Sequence, residues 1–194
     1  TLHAGLFRML HNEPLYVEGG SANTTHDAVH APDLRVTAPE PDTLITPFDS
    51  NVQFGDYLQL SGLDITIGDQ SLDWGEMWDI SASESIQFTF DWTVHQRPDR
   101  DYSLFIHVTP AGSPTPIAQA DTPLGSNSYP TGTWREGDKQ QDRVILSLPS
   151  DINSGEYDVW VGIYFYADNN RLTPILEDKL SVDNRLWLGK INLD

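Results

Sequence analysis

Ile86, Phe88, Phe90, Trp92 and Val94 alternate with Gln87, Thr89, Asp91 and Thr93. A period of two sends the first set to one side of an extended chain and the second to the other, which is the signature of a half-buried strand. Tyr102, Leu104, Ile106 and Val108 repeat the pattern, and Pro110-Ala111-Gly112-Ser113-Pro114 then supplies turn chemistry before a short strand around Ile117 to Ala120. This reads as a hairpin. Val144, Leu146 and Leu148 form another strand, and Gly155 precedes a long one over Glu156 to Tyr166, in which Tyr157, Val159, Val161, Ile163 and Phe165 share a face. Its opposite face carries Trp160, Tyr164 and Tyr166. Further strands are expected at Tyr57 to Leu60, Leu63 to Ile67, Arg171 to Leu176 and Arg185 to Leu193. About eight or nine short strands with turns between them predict an all-β fold, an antiparallel β-sandwich of immunoglobulin-like or jelly-roll type.

The period is absent upstream. Residues 1–50 read as an N-terminal arm, with Pro32, Pro39, Pro41 and Pro47 set among Ser, Thr, Asp and Ala, and residues 51–194 as the sandwich. Leu2, Leu6, Met9 and Leu10 recur at helical spacing, so a short helix over Leu2 to His11 is expected, ended by Pro14. Within the arm, Leu15-Tyr16-Val17 and Leu34-Arg35-Val36-Thr37 have the β character to pair with an open sheet edge.

The 194-residue chain has 29 acidic and 11 basic residues, a net charge of −18, and no basic residue lies between Arg35 and Arg97. Nucleic acid and anionic membrane surfaces both demand clustered Lys and Arg, so neither is an expected partner. With no cysteine, disulfides, thiolate metal sites and cysteine nucleophiles are ruled out. No segment reaches the roughly 20 apolar residues of a membrane helix, so the chain itself is not expected to insert in a bilayer. The chain opens on Thr1, which suggests a matured or excised piece.

The run Phe54-Gly55-Asp56-Tyr57-Leu58-Gln59-Leu60-Ser61-Gly62-Leu63-Asp64 is followed in order by Arg100-Asp101-Tyr102-Ser103-Leu104-Phe105-Ile106-His107-Val108 and then by Tyr129-Pro130-Thr131-Gly132-Thr133-Trp134-Arg135-Glu136-Gly137-Asp138. Gly155-Glu156-Tyr157 through Gly162-Ile163-Tyr164, with Arg171-Leu172, completes the series. Together these resemble the β-sandwich module at the extracytoplasmic C-terminus of bacterial membrane glycosyltransferases of the protein-mannosyltransferase type, and of related surface proteins. The resemblance spans about Asn51 to Asp194. It implies a sandwich at the cell surface or outside the cell, with no catalytic residue of its own.

Catalytic motifs are weak. His26-Asp27-Ala28-Val29-His30 has the His spacing of a helical metal pair, but Asp stands where a zincin has Glu. His95 and His107 lie on or beside strands with no Gly-x-Ser-x-Gly elbow to partner them. The acidic run Asp69 to Asp79 offers oxygen ligands in the manner of a calcium loop without reproducing the EF-hand positions. Asn23-Thr24-Thr25 is a glycosylation sequon. The chain is therefore expected to be no enzyme and to need no cofactor or metal.

Trp74, Trp78, Tyr129 and Trp134 are the candidate carbohydrate contacts, because flat aromatic faces beside Asp and Arg are suited to the apolar side of a sugar ring. The same rings could instead fold back to cap the sandwich. Two functions follow. One is a non-catalytic extracellular or cell-surface module binding a glycan or a surface protein. The other is a subunit of a homopolymeric surface filament, whose arm residues Leu15, Tyr16, Val17, Leu34 and Val36 add a strand to the next copy. An accessory domain of a membrane transferase would share the same fold.

Overall fold

The computed structural model describes the backbone of Tyr16–Glu18, Arg35–Thr37 and residues 47–51, and residues 52–125, 129–176 and 181–193 in full. The chain divides into two compact units, Thr1–Pro41 and Asp42–Asp194. In the first, β1 (Tyr16–Glu18) and β2 (Arg35–Thr37) pair antiparallel, with Tyr16 opposite Thr37 and Val17 opposite Val36. The two arm segments with β character are thus paired with each other. Leu15, Leu34, the expected helix, the His26/His30 pair and the Asn23 sequon all lie outside the described residues.

The second unit is a β-sandwich. Its strands are β3 (Pro47–Phe54), β4 (Leu58–Ile67), β5 (Gln70–Leu72), β6 (Met77–Ile80), β7 (Ser85–Val94), β8 (Ser103–Pro110), β9 (Ala118–Pro123), β10 (Lys139–Ser147), β11 (Gly155–Phe165), β12 (Asn170–Arg171), β13 (Pro174–Ile175), β14 (Ser181–Val182) and β15 (Arg185–Leu193). One sheet runs β10-β7-β4-β3-β13 with β5 added to β4. The other runs β14-β15-β11-β8-β9, with β12 on β11 and β6 on β15. The strands exceed the eight or nine expected because β3 begins within the stretch read as the arm, β5, β6 and β14 are too short to show a period, and the strand expected over Arg171 to Leu176 is divided into β12 on one sheet and β13 on the other.

The expected purely antiparallel pairing needs one correction. β6 runs parallel to β15, with Met77 opposite Lys190 and Ile80 opposite Leu193. A second correction concerns β4, expected as two strands because the apolar period slips after Leu60. The slip is a bulge between Leu60 and Gly62, after which Leu63 faces Phe90 and Ile65 faces Phe88. One inserted residue shifts the phase and keeps both apolar sets on the same face.

The core follows from that alternation. Phe88, Phe90 and Trp92 are fully buried on the inner face of β7, and the Phe90 and Trp92 rings stack at 5.6 Å and 14°. Phe54 meets Trp92 edge-on at 5.8 Å. From the opposite sheet, Leu104, Ile106, Val159, Val161, Ile163, Leu186 and Leu188 are all buried. Burial of rings of this size dominates a core's stability.

Candidate functional site

Three of the four rings expected to face a ligand are inside the protein. Trp134 is fully buried, and its Nε1 donates to the Tyr129 carbonyl at 2.8 Å. Gly125 permits the approach, since a Cβ there would lie 2.7 Å from Trp134 Cζ2, and its φ of 69° is costly for any other residue. Tyr129 is 5% exposed, with its hydroxyl 3.4 Å from Asp138 Oδ2, and that carboxylate accepts the Arg135 N–H at 2.8 Å. Trp78 on β6 is 2% exposed, 6.4 Å from the Phe88 ring, and donates Nε1 to the Asp73 carbonyl at 2.8 Å. These three rings have no face left for a sugar. The physical reason is that each ring finds a buried place against the sandwich, Trp78 from strand β6 and Tyr129 and Trp134 from the loop before β10, where burial of a large ring outweighs its exposure. Trp74, between β5 and β6, is half-buried.

In the acidic run of residues 69–79, one carboxylate, that of Asp79, is engaged by the neighbouring strand. Asp79 Oδ1 accepts from Asn192 Nδ2 at 2.6 Å, and the Glu76 carbonyl accepts from Lys190 N at 2.9 Å. Among the described residues, no three His, Asp or Glu side chains are grouped so as to hold a metal ion. His95 is bonded to Gln59 at 2.7 Å.

The two sheets differ in their outer faces. Beyond the core of the first, β7 presents Gln87, Thr89, Asp91 and Thr93 and β10 presents Gln141, Arg143 and Ile145. The second sheet carries rings there. Across it lie the rows His107–Trp160–Trp187 and Ser103–Tyr164–Arg171, with Phe105 opposite Gly162 between them. A Cβ at Gly162 would overlap the Phe105 ring, so the glycine lets that ring lie flat across the neighbouring strand. Two of these rings are covered by cations. The Arg171 guanidinium sits 4.8 Å over Phe105 and the Arg185 guanidinium 4.7 Å over Trp160. Trp160 Nε1 donates to Thr109 Oγ1 and Trp187 Nε1 to Asp158 Oδ1, each at 3.1 Å.

The rings left uncovered stand at one end of this sheet, where β8 begins and β9 and β11 end. They border a groove of about 540 Å³ lined by Asp101, Tyr102, Ser103, Asp121, Thr122, Pro123, Leu124, Pro130, Tyr164 and Tyr166. Tyr102 and Leu124 are buried beneath it, Tyr164 is half-buried and Tyr166 is 67% exposed. One wall is held rigidly. Thr131 Oγ1 accepts from Tyr102 N and donates to the Arg100 carbonyl, both at 2.8 Å, Gly132 N donates to Asp101 Oδ1 at 2.8 Å, and Arg97 clasps the Gly132 carbonyl at 3.0 and 2.8 Å. The loop carrying Trp134 therefore acts as a brace for the groove.

Two tyrosines of the groove, Tyr102 and Tyr164, are held neutral. Burial, then Asp99, pushes the Tyr102 phenol well up, its hydroxyl donating to Asp99 Oδ1 at 2.7 Å. Asp99 is drawn below the ordinary carboxylate value by its bonds from Arg100 and Tyr102. The Tyr164 phenol is also raised, first by burial and then by Asp121 beside it. Such a site offers amphipathic rings, hydroxyls and carboxylates in a preformed recess. Part of it was visible in the sequence, since alternation along β11 places Tyr164 and Tyr166 away from the core. Asp101, Tyr102 and Asp121 gave no such sign, because only the pairing of β8 with β9 and β11 gathers them.

Fold and groove together define a β-sandwich with a polar aromatic recess at one end of a sheet. No family model and no curated protein matches the chain. Among solved structures it is similar to the crystal structure of the C-terminal domain of Wzt, with a TM-score of 0.50 and 12% identity over 75% of this chain and 78% of that one. At that identity the likeness speaks for the sandwich fold.

Proposed function

We propose that the chain is a non-catalytic surface module that binds glycan in the groove between β8, β9 and β11. The observation that carries this reading is the convergence of Tyr164 and Tyr166, above the buried Tyr102, with Asp101, Asp121 and Ser103 on one recess of about 540 Å³. That volume lies within the roughly 300–1,000 Å³ of small-ligand sites. Ring faces take the apolar side of a pyranose, and carboxylates and hydroxyls take its O–H groups. A binding role fits the chemistry better than an acid–base one. A general acid or base works best with a pKa near the working pH, whereas the Tyr102 and Tyr164 phenols are driven further above it. Placement outside the cytoplasm is part of the proposal and draws on the resemblance of the Phe54–Asp64, Arg100–Val108 and Tyr129–Asp138 runs to extracytoplasmic transferase modules.

The test is a glycan array followed by titration calorimetry on the full chain and on Tyr166→Ala and Tyr164→Ala. Loss of one stacking ring should weaken a retained glycan by roughly 2- to 13-fold, in line with about 0.5–1.5 kcal/mol for an aromatic contact. Tyr166 is largely exposed, so its removal should leave the melting temperature within a few degrees. Unchanged affinity in both variants would remove the groove as the site.

A further inference from the structure

The groove wall carries charge of one sign. Asp101 and Asp121 are both exposed at its margin, and among the described residues its lining includes no Lys, Arg or His. Two arginines lie nearby, and each is held elsewhere. Arg171, whose strand pairs with Tyr164, is stacked over Phe105 at 4.8 Å and donates Nη1 to the Asp183 carbonyl at 3.0 Å. Arg100, adjacent to Asp101 in sequence, lies 4.9 Å over Phe165 and is paired with Asp99 at 2.7 Å. The Asp101 carboxylate cannot easily swing away, because Oδ1 is bonded to Gly132 N at 2.8 Å. A chain of net charge −18 adds a background of the same sign.

We infer that the groove takes sugars that are uncharged or carry an amine, and turns away uronic, sialic, sulfated and phosphorylated ones. The inference rests on the glycan reading above and gives it a ligand class. An acidic sugar seated on the tyrosines brings its charge towards two carboxylates with no basic group among the described lining residues to offset them, and like charges repel, the more so as water is displaced. An ammonium group meets the opposite situation. It gains from the carboxylates and from the faces of the phenol rings. A neutral sugar uses the carboxylates as hydrogen-bond acceptors for its hydroxyls.

The experiment is an array of neutral, amine-bearing and acidic glycans probed with the full chain at low and at high salt, alongside Asp121→Asn and the Asp101→Asn/Asp121→Asn pair. Glycans retained by the unaltered chain should be neutral or amine-bearing, with acidic analogues of the same length at least tenfold weaker. High salt should narrow that gap by screening. Asp121→Asn should narrow it as well and should weaken amine-bearing ligands relative to neutral ones. Asp121 is exposed, so this variant stays informative if the pair fails to fold. Acidic glycans retained as tightly as neutral ones, with Tyr166→Ala abolishing both, would overturn the charge rule and leave the groove as a glycan site. An array on which nothing is retained would overturn the glycan reading and the charge rule with it.

Discussion

Two titratable groups on different sheets, the half-buried His107 and the buried Asp142, should make the stability of the sandwich respond to acid in opposite directions. His107 on β8 lies against the Phe105 ring at 4.3 Å, and its Nδ1 is buried with no hydrogen-bond partner among the described residues. Burial chiefly, with Arg171 and Arg185 adding to it against the pull of Asp121, lowers it from 6.5 to about 4. Asp142 on β10 occupies an inward position of the alternation. Its Oδ1 accepts from Gly125 N at 2.9 Å, while Trp92 Nε1 faces the carboxylate without reaching hydrogen-bond geometry. Burial raises it from 3.8 to about 6.

The signs follow from which state takes up the proton first. For His107 the unfolded chain is protonated from pH 6.5 downward while the folded chain holds out to about pH 4, so this group's stabilisation is complete above 6.5 and lost on acidification. For Asp142 the folded chain takes the proton first, near pH 6, so a penalty present above that pH is relieved as the pH falls towards 3.8. At about 1.4 kcal/mol per tenfold change in proton affinity, Asp142 contributes about 3 kcal/mol. His107 contributes about 2 kcal/mol once its partial exposure is discounted. The two largely cancel in the unaltered chain.

Urea denaturation of the full chain, His107→Gln, Asp142→Asn and the double variant between pH 4 and 7 separates them. Only the difference from the unaltered chain at each pH matters, which removes the common titration of the other carboxylates. His107→Gln should gain about 2 kcal/mol relative to the unaltered chain on going from pH 7 to pH 4, and Asp142→Asn should lose about 3 kcal/mol over the same interval. The double variant should differ from the unaltered chain by about 1 kcal/mol across the range. Differences that stay constant with pH in both single variants would refute the reasoning.

Other substitutions probe the braces behind the groove. Trp134→Ala should destabilise by about 3–5 kcal/mol in urea or thermal melts, because it empties a fully buried indole site and drops a hydrogen bond to Tyr129; a change under 1 kcal/mol would return Trp134 to the list of surface contacts. Gly162→Ala should cost about 1–3 kcal/mol by lifting the Phe105 ring off the sheet. Loss of the Arg171 stacking on that ring should accompany it and be visible as a shift of the ring resonances in NMR spectra.

Much of the fold was legible because a strand's two faces are set by its own residues. Ile86 to Val94 and Gly155 to Phe165 declared their inner faces, and the core is built from them. Local sequence also marked the β8–β9 hairpin, whose register runs from Ser103 opposite Pro123 to Val108 opposite Ala118. What it could not settle was the fate of rings outside the strongly periodic strands. Trp78 on short β6, and Tyr129 and Trp134 in a loop, carry the same composition whether their segment turns outward or folds onto the sandwich, and the answer depends on unrelated residues such as Gly125 and Gly189, against which Trp134 and Trp78 pack.

The candidate site marks the same division. Sequence alone determined that Tyr164 and Tyr166 leave the core, since alternation is a property of one strand. Only the tertiary structure decided that they meet Tyr102, Asp101 and Asp121, because those residues belong to chain segments over 40 positions away and are joined by register between strands. Register is chosen by the whole buried face at once, and no short stretch of sequence carries that information.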